Sequence, residues 1–330
     1  MPNANAAQQA ERPPHVLCLT MNPSMDLSTD TARVVPTHKL RCGEGVHDAG
    51  GGGINVARVI TRLGGSCETL CPAGGPTGDW LESRMAQEGL RNTTIPIAQE
   101  TRVSFTVHER DTSAEYRFVL PGPHLSESEW QACLDHLVNL PSFPDYLVAS
   151  GSLPPGVPGD FYAQLARLCR ERGSRLVLDA SGPSVAAALA VGVYLWKPNL
   201  KELGEQTGQT LAWPAEGLAS ARHLMALGHA EVVALTMGHQ GAALLTREGH
   251  WSAPPLTIPV ASAVGAGDSF VGGLVWGLQQ GLPLHEAFAW GVAAGSAALM
   301  SVTTGLSRRE DAQSLRSQVQ LTFQPAATGG

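Results

Sequence analysis

Lysine is almost missing from this chain: Lys39, Lys197 and Lys201 are the only three in 330 residues. They stand in His-Lys-Leu, Trp-Lys-Pro and Leu-Lys-Glu. None makes the Gly-Lys-Ser/Thr of a Walker A loop, so any nucleotide here is held another way. Charge of both signs is sparse at 15% of residues, against about 25% in ordinary domains. The net charge of -7 and pI near 5.9 argue against an electrostatic nucleic-acid binder, which normally needs a basic face. The six cysteines, Cys18, Cys42, Cys67, Cys71, Cys133 and Cys169, form no Cys-x-x-Cys pair, which argues against a zinc site and for reduced thiols. No histidine pair has zincin spacing, and Ser150-Gly151-Ser152 is not a nucleophile elbow. No run of about 18 apolar residues offers a membrane span. The first fifteen residues, MPNANAAQQAERPPH, lack the apolar core of a signal peptide. The expectation is a soluble, cytoplasmic protein with neither membrane nor nucleic acid as partner.

What is abundant is glycine, 37 residues, and apolar residues, 43%. Short apolar runs alternate with helical patterns. Strands are expected at 15–20, 67–72, 146–150, 175–179, 193–196 and 231–235. Helices are expected at 54–63, 80–88, 160–171 and 270–278. Strands separated by helices imply a parallel sheet covered on both faces. Two segments break this rhythm. Residues 31–48 are polar without helical period, and 102–120 alternate around a turn at 109–113, as an antiparallel hairpin does. Neither holds enough apolar residues for its own core, so they read as a lid at the sheet edge, near 26–50 and 100–121. Residues 1–14 and 321–330 read as a disordered tail and a frayed end around one domain at 15–320.

Two glycine-rich turns are chemical candidates. Gly50-Gly51-Gly52-Gly53-Ile54-Asn55 exposes backbone N–H groups at a helix start. Val264-Gly265-Ala266-Gly267-Asp268-Ser269 follows an extended stretch and opens another helix, forming an anion nest. Both fail the dinucleotide fingerprint, since Val56 and Phe270 stand where small residues are needed. Asp268 is the odd member of its turn. A carboxylate beside an anion site repels its ligand unless it accepts a proton from an attacking hydroxyl. A plain N-cap is the alternative. In Lys197-Pro198-Asn199-Leu200-Lys201-Glu202, Asn199 and Glu202 share a face of a first helical turn. They can hold a hydrated Mg²⁺ or form a capping box. Thr236-Met237-Gly238-His239-Gln240-Gly241, after a strand, suits a nucleotide cradle.

Together these segments resemble the PfkB (ribokinase-like) carbohydrate kinases, from about residue 15 to 318. GGGGIN and VGAGDS stand in the order and spacing of that family's two signatures, with KPNxxE between them. Lys39-Leu40-Arg41-Cys42, PAGGPTG at 72–78, YRFVLPG at 116–122, SGSLPPGV at 150–157 and GVAAGSAA at 291–298 add to the likeness. The resemblance implies a ribokinase-like three-layer α/β/α domain with a mainly parallel central sheet and a small β lid. It implies ATP as co-substrate, Mg²⁺, and a homodimer through the lid. Asp268 matches the catalytic base, and Gly265, Ala266 and Gly267 the anion hole. Asp26, Gly52, Gly53 and Asn55 match sugar contacts; Lys39, Arg41, Arg102 and Ser152 match groups around a sugar phosphate. Lys197, Asn199, Thr236, Gly238, Gly241, Val292 and Ser296 match the nucleotide side, with Asn199 and Glu202 organising Mg²⁺. Ser262, Val264 and Gly305 stand at the family's monovalent-cation loop, for K⁺. Fructose 6-phosphate is the expected substrate, phosphorylated at its 1-hydroxyl. Enzymes for the 1-phosphate tend to carry a lysine inside the glycine loop, where this chain has Gly52. Tagatose 6-phosphate, fructose 1-phosphate and a non-catalytic sensor role are the alternatives.

Overall fold

A computed structural model describes residues 15–301 and 305–326. In chain order the elements are β1 (Val16–Leu19), β2 (Ser24–Thr31), β3 (Val46–Gly50), α1 (Gly52–Arg62), β4 (Glu68–Ala73), α2 (Gly75–Gln87), β5 (Arg91–Pro96), β6 (Arg102–Glu109), β7 (Ala114–Val119), α3 (Glu127–Val138), β8 (Tyr146–Ser150), α4 (Phe161–Arg172) and β9 (Arg175–Asp179). There follow α5 (Pro183–Val191), β10 (Val193–Trp196), α6 (Leu200–Thr207), α7 (Ala215–Ala226), β11 (Ala230–Thr236), β12 (Ala242–Leu245), β13 (Gly249–Ala253), α8 (Ala266–Gln279), α9 (Leu284–Leu299), α10 (Arg309–Arg316) and β14 (Thr322–Pro325).

Among these residues, ten strands form one sheet in the order β14-β13-β12-β11-β10-β9-β8-β1-β4-β5. Pairing is parallel from β11 through to β5 and antiparallel from β11 to β14. Alternation along the strands feeds two cores. Leu17 and Leu19 face α3, α4, α5 and α7, whereas Val16 and Cys18 face α1, α2, α8 and α9. Strands buried on both faces read as continuous apolar runs, which is why YLVAS and RLVLD are legible from sequence. Five of the cysteines are buried and Cys42 is exposed; all six are free thiols. No described helix is long and apolar enough to cross a membrane.

The two polar insertions meet in a second, four-stranded sheet, β3-β2-β6-β7. β2 pairs antiparallel with β3 and parallel with β6, and the hairpin expected at 102–120 is β6–β7. A buried arginine ties this lid to the main domain. Arg58 of α1 donates to Glu88 at 2.6 Å, to Asp48 of β3 at 2.9 Å and to the Ala49 carbonyl at 3.1 Å.

Two readings of the sequence change. Residues 322–325 are not a frayed end but edge strand β14, paired with β13. The stack of Phe323 on Trp251, centroids 4.7 Å apart, anchors it; four exposed residues carry no periodicity to announce this. Residues 1–14 and 327–330, read as tails, lie outside the described residues. α2 starts at Gly75 rather than Trp80, because Pro76 is tolerated in a first helical turn, where its N–H is not needed.

Arg58→Ala takes from Glu88 and Asp48 their most buried partner, while the half-exposed Arg84 stays 3.0 and 3.6 Å from them. The expected loss is about 3–5 kcal/mol of stability, measured by urea unfolding against wild type; an unchanged midpoint contradicts the tie.

Candidate active site

The site is assembled at the carboxyl ends of β1, β8 and β9, where open α/β sheets bind ligands. The first glycine turn runs tightly over them. A Cβ at Gly52 would lie 2.1 Å from Ser150 Oγ, and one at Gly53 2.5 Å from the Leu19 carbonyl. These glycines therefore answer to the sheet beneath as much as to any ligand. Thr20 Oγ1 accepts the Ile54 N–H at 2.9 Å and fixes the start of α1. One turn on, Asn55 Nδ2 donates to Asp268 Oδ2 at 2.8 Å.

Asp268 comes from the second glycine turn. Gly265, with φ of 74°, takes the left-handed conformation that sends the chain into α8. Asp268 lies in the first turn of that helix and keeps its side chain for Asn55 and the cavity. Beyond it, Lys197 Nζ pairs with Asp179 Oδ1 at 3.0 Å, both nearly buried. Nζ also sits 3.5 Å from where a Cβ on Gly267 would be, against the anion nest.

The charges are unbalanced, which sets the proton affinities. Burial raises Asp268 most, Asp179 raises it further, and Asn55 and Lys197 oppose; the result is a carboxyl pushed up to about 6. Burial also lifts Asp26, against a 2.6 Å bond from Ser24 and the charges of Arg102 and Arg117. Burial lifts Glu202 too, opposed by the Asn199 N–H and Lys197. Burial pulls Lys197 down, but Asp179 and Glu202 outweigh it and hold the ammonium above its ordinary range.

Two cavities meet here. The first, about 340 Å³, is polar and contains Asp26, Asn55, Arg102, Lys197 and Asp268. The second, about 680 Å³, is apolar, with Leu256, Ile258 and Phe270 in its wall. Gly267 lines both. A group in one can thus meet a group in the other across the start of α8.

Most residues expected from the sequence converge. Gly52, Ser152, Glu202, Val264 and Gly265 also line the first cavity. Thr236, Gly238, Gly241, Ala266, Val292 and Ser296 line the second. Some of the expected residues lie apart from these cavities or already have protein partners. Lys39 and Arg41 are exposed on the loop between β2 and β3 and line neither cavity. Gly53 is buried against Leu19 instead of facing the first cavity. Asn199 spends its side chain on a capping box: its Oδ1 accepts the Glu202 N–H and its N–H reaches Glu202 Oε2, both at 2.8 Å. Ser262 Oγ donates to Glu115 Oε2 and accepts the Val264 N–H, both at 3.1 Å; Gly305 lines neither cavity. The lining residues that were missed include Asp179, Ser24 and Arg117. Asp179 had a signal, the carboxylate closing the strand RLVLD.

No cluster of three or more His, Cys, Asp or Glu among the described residues could cage a metal ion. Mg²⁺ is commonly held by one or two carboxylates, waters and phosphates. Glu202 fits that role, since only its Oε2 has a protein partner among the described residues.

Comparison with known proteins gives a consistent picture. The pattern of the pfkB family carbohydrate kinases matches residues 17–311. ATP-dependent 6-phosphofructokinase isozyme 2 of Mycobacterium tuberculosis is 43% identical over 92% of this chain and 89% of its own. The isozyme 2 of Escherichia coli is 39% identical over 91% and 97%. Its crystal structure with fructose-6-phosphate superimposes with a TM-score of 0.87, covering 93% of this chain and 99% of that one. Other structures of it hold potassium or show a tetrameric inhibited form. A Bacillus subtilis 1-phosphofructokinase is 32% identical over 93% and 99%.

Carbon-13 NMR of the Asp carboxyls, with Asp268→Asn for assignment, checks the electrostatics. Asp268 is expected to titrate near pH 6. Asp179→Asn removes a charge that raises it, so the midpoint shifts to lower pH; an upward or null shift contradicts the arrangement.

Proposed function

Because the chain belongs to the pfkB family of carbohydrate kinases, we propose that it transfers the γ-phosphoryl group of ATP to the 1-hydroxyl of fructose 6-phosphate, giving fructose 1,6-bisphosphate and ADP. The observation that carries this reading is Asp268, held by Asn55 in the polar cavity and next to Gly267, which the apolar cavity shares. The apolar cavity suits the nucleotide and the polar one the sugar phosphate.

Phosphoryl transfer demands positioning and charge neutralisation more than covalent chemistry. Asp268 accepts the proton of the attacking hydroxyl; a base titrating near 6 is largely ionised at pH 7 yet takes a proton readily. The backbone N–H groups at Gly265–Gly267 and the positive end of α8 face the oxygens on which charge develops. Lys197, aligned by Asp179, adds a full positive charge beside them. Glu202 would hold Mg²⁺, which when bound would supply further neutralisation of those oxygens. Arg102 and Arg117 stand on the lid side of the sugar cavity, where a 6-phosphate needs partners. Closure of the lid excludes water, which would otherwise take the phosphoryl group.

Choice of the 6-phosphate rests on Gly52. Its packing on Ser150 leaves no room for the lysine that 1-phosphate enzymes carry there unless Ser150 moves. A 1-phosphofructokinase is the second reading, favoured by the likeness to the Bacillus subtilis enzyme. A homodimer through the lid is part of the proposal. Phe118, Val119 and Leu120 are each more than half exposed there, beside the open edge of β7. We place the protein in the cytoplasm, with its metabolite substrates, and include K⁺ at the loop holding Val264 and Gly305.

An ADP-release assay comparing kcat/KM for fructose 6-phosphate, tagatose 6-phosphate and fructose 1-phosphate tests the substrate. Fructose 6-phosphate is expected to lead; preference for fructose 1-phosphate overturns the reading. Asp268→Asn is expected to lower kcat by roughly 10²–10⁴ while ATP still binds, and an unchanged kcat removes Asp268 as the base.

A further inference from the structure

Asn22 lies in the turn after β1 and does not line the sugar cavity, yet it holds two groups that do. Its carbonyl accepts from Arg102 Nη2 at 2.9 Å, and its Nδ2 donates to Ser152 Oγ at 3.1 Å. Arg102 comes from lid strand β6; Ser152 follows β8 of the main sheet. A single residue, only 7% exposed, therefore sets the spacing between a lid guanidinium and a main-domain hydroxyl. The loop after β7 closes over it: a Cβ at Gly122 would lie 2.1 Å from Asn22 Oδ1. Arg102 Nη1 is fixed in turn by the Leu120 carbonyl at 3.2 Å.

The direction of the Asn22–Ser152 bond matters. Ser152 Oγ receives a proton from the amide, so its own proton is directed elsewhere. Arg102 Nε is buried with no partner. Two donors bordering the same cavity are thus left to be satisfied by something in it. We propose that Asn22 is a positioning residue that aligns Arg102 and Ser152 as a paired donor set for the phosphate of the sugar substrate. This rests on the fructose 6-phosphate reading. The residue touches neither substrate nor reacting atoms; it acts through the two groups it holds.

Asn22→Asp tests this with no change of shape. A carboxylate can only accept from Ser152, so the hydroxyl proton turns inward and is lost to the substrate. Gly122→Ala tests it from the other side, by displacing the amide. Both variants are expected to raise KM for fructose 6-phosphate by about tenfold or more: Asn22→Asp withdraws the Ser152 proton, and Gly122→Ala also shifts the turn whose main-chain carbonyl holds Arg102. The kcat and the KM for ATP are expected to stay within about twofold, because the reacting groups are untouched. With unphosphorylated fructose as acceptor, kcat/KM should match wild type. Melting temperature is read alongside, and calorimetric binding of fructose 6-phosphate gives a readout without turnover. Lower melting temperature with unchanged KM and binding overturns the proposal, as does an equal loss for fructose and its phosphate. A wild type that neither phosphorylates nor binds fructose 6-phosphate overturns the functional reading, and this inference with it. A wild type that binds it as tightly as both variants overturns this inference alone.

Discussion

Four carboxylates, Asp26, Asp179, Glu202 and Asp268, surround one cavity that also holds a single buried ammonium, Lys197. Crowded like charges in a half-dry site cannot all ionise freely, and the rest of the site is arranged around that constraint. Asp179 takes Lys197 as its partner. Glu202 is quieted by the Asn199 N–H of its own helix cap. Asp26 is held by Ser24 and by lid arginines. Asp268 is left with one amide, and so keeps the proton affinity a base requires.

Anionic ligands enter this acidic site because much of the attraction is not side-chain charge. Of the three lysines, Lys39 and Lys201 are exposed and only Lys197 reaches the centre. Backbone N–H groups at two helix starts supply partial positive charge that needs no side chain to be desolvated. The full charges on the sugar side, Arg102 and Arg117, come from the lid. The lid is in turn anchored to α1 through Arg58, and α1 carries Asn55 against Asp268. One helix therefore links the lid, the sugar cavity and the base.

Much of this was legible in the sequence. Strands buried on both faces stand out as apolar runs, and β8, β9 and β10 fall where their residues read. Both glycine turns were visible because glycine next to a helix start has few other uses. What was hidden has physical reasons. β14 is short and exposed, held by its pairing with β13 and by Phe323 against Trp251, so no pattern marks it. Asp179 closes the strand RLVLD, which marks its place at a strand end, but nothing in the sequence pairs it with Lys197 or Asp268. Lys39 and Arg41 came from the likeness to the family; in this chain they lie exposed on the loop between β2 and β3, apart from both cavities. Asn199 matched a metal-site pattern that is identical in spacing to a capping box; the fold uses it as the cap.

The central claim is that a carboxyl pushed up to about 6 by burial and by Asp179 takes the proton during transfer. The pH dependence of kcat/KM for fructose 6-phosphate, at saturating ATP, tests it most directly. Protonated Asp268 cannot act as a base, so the rate falls on the acid side with a midpoint near 6 and about tenfold per pH unit below it. A profile flat from pH 5 to 8, or an acid limb that survives unmoved in Asp179→Asn, would contradict the account.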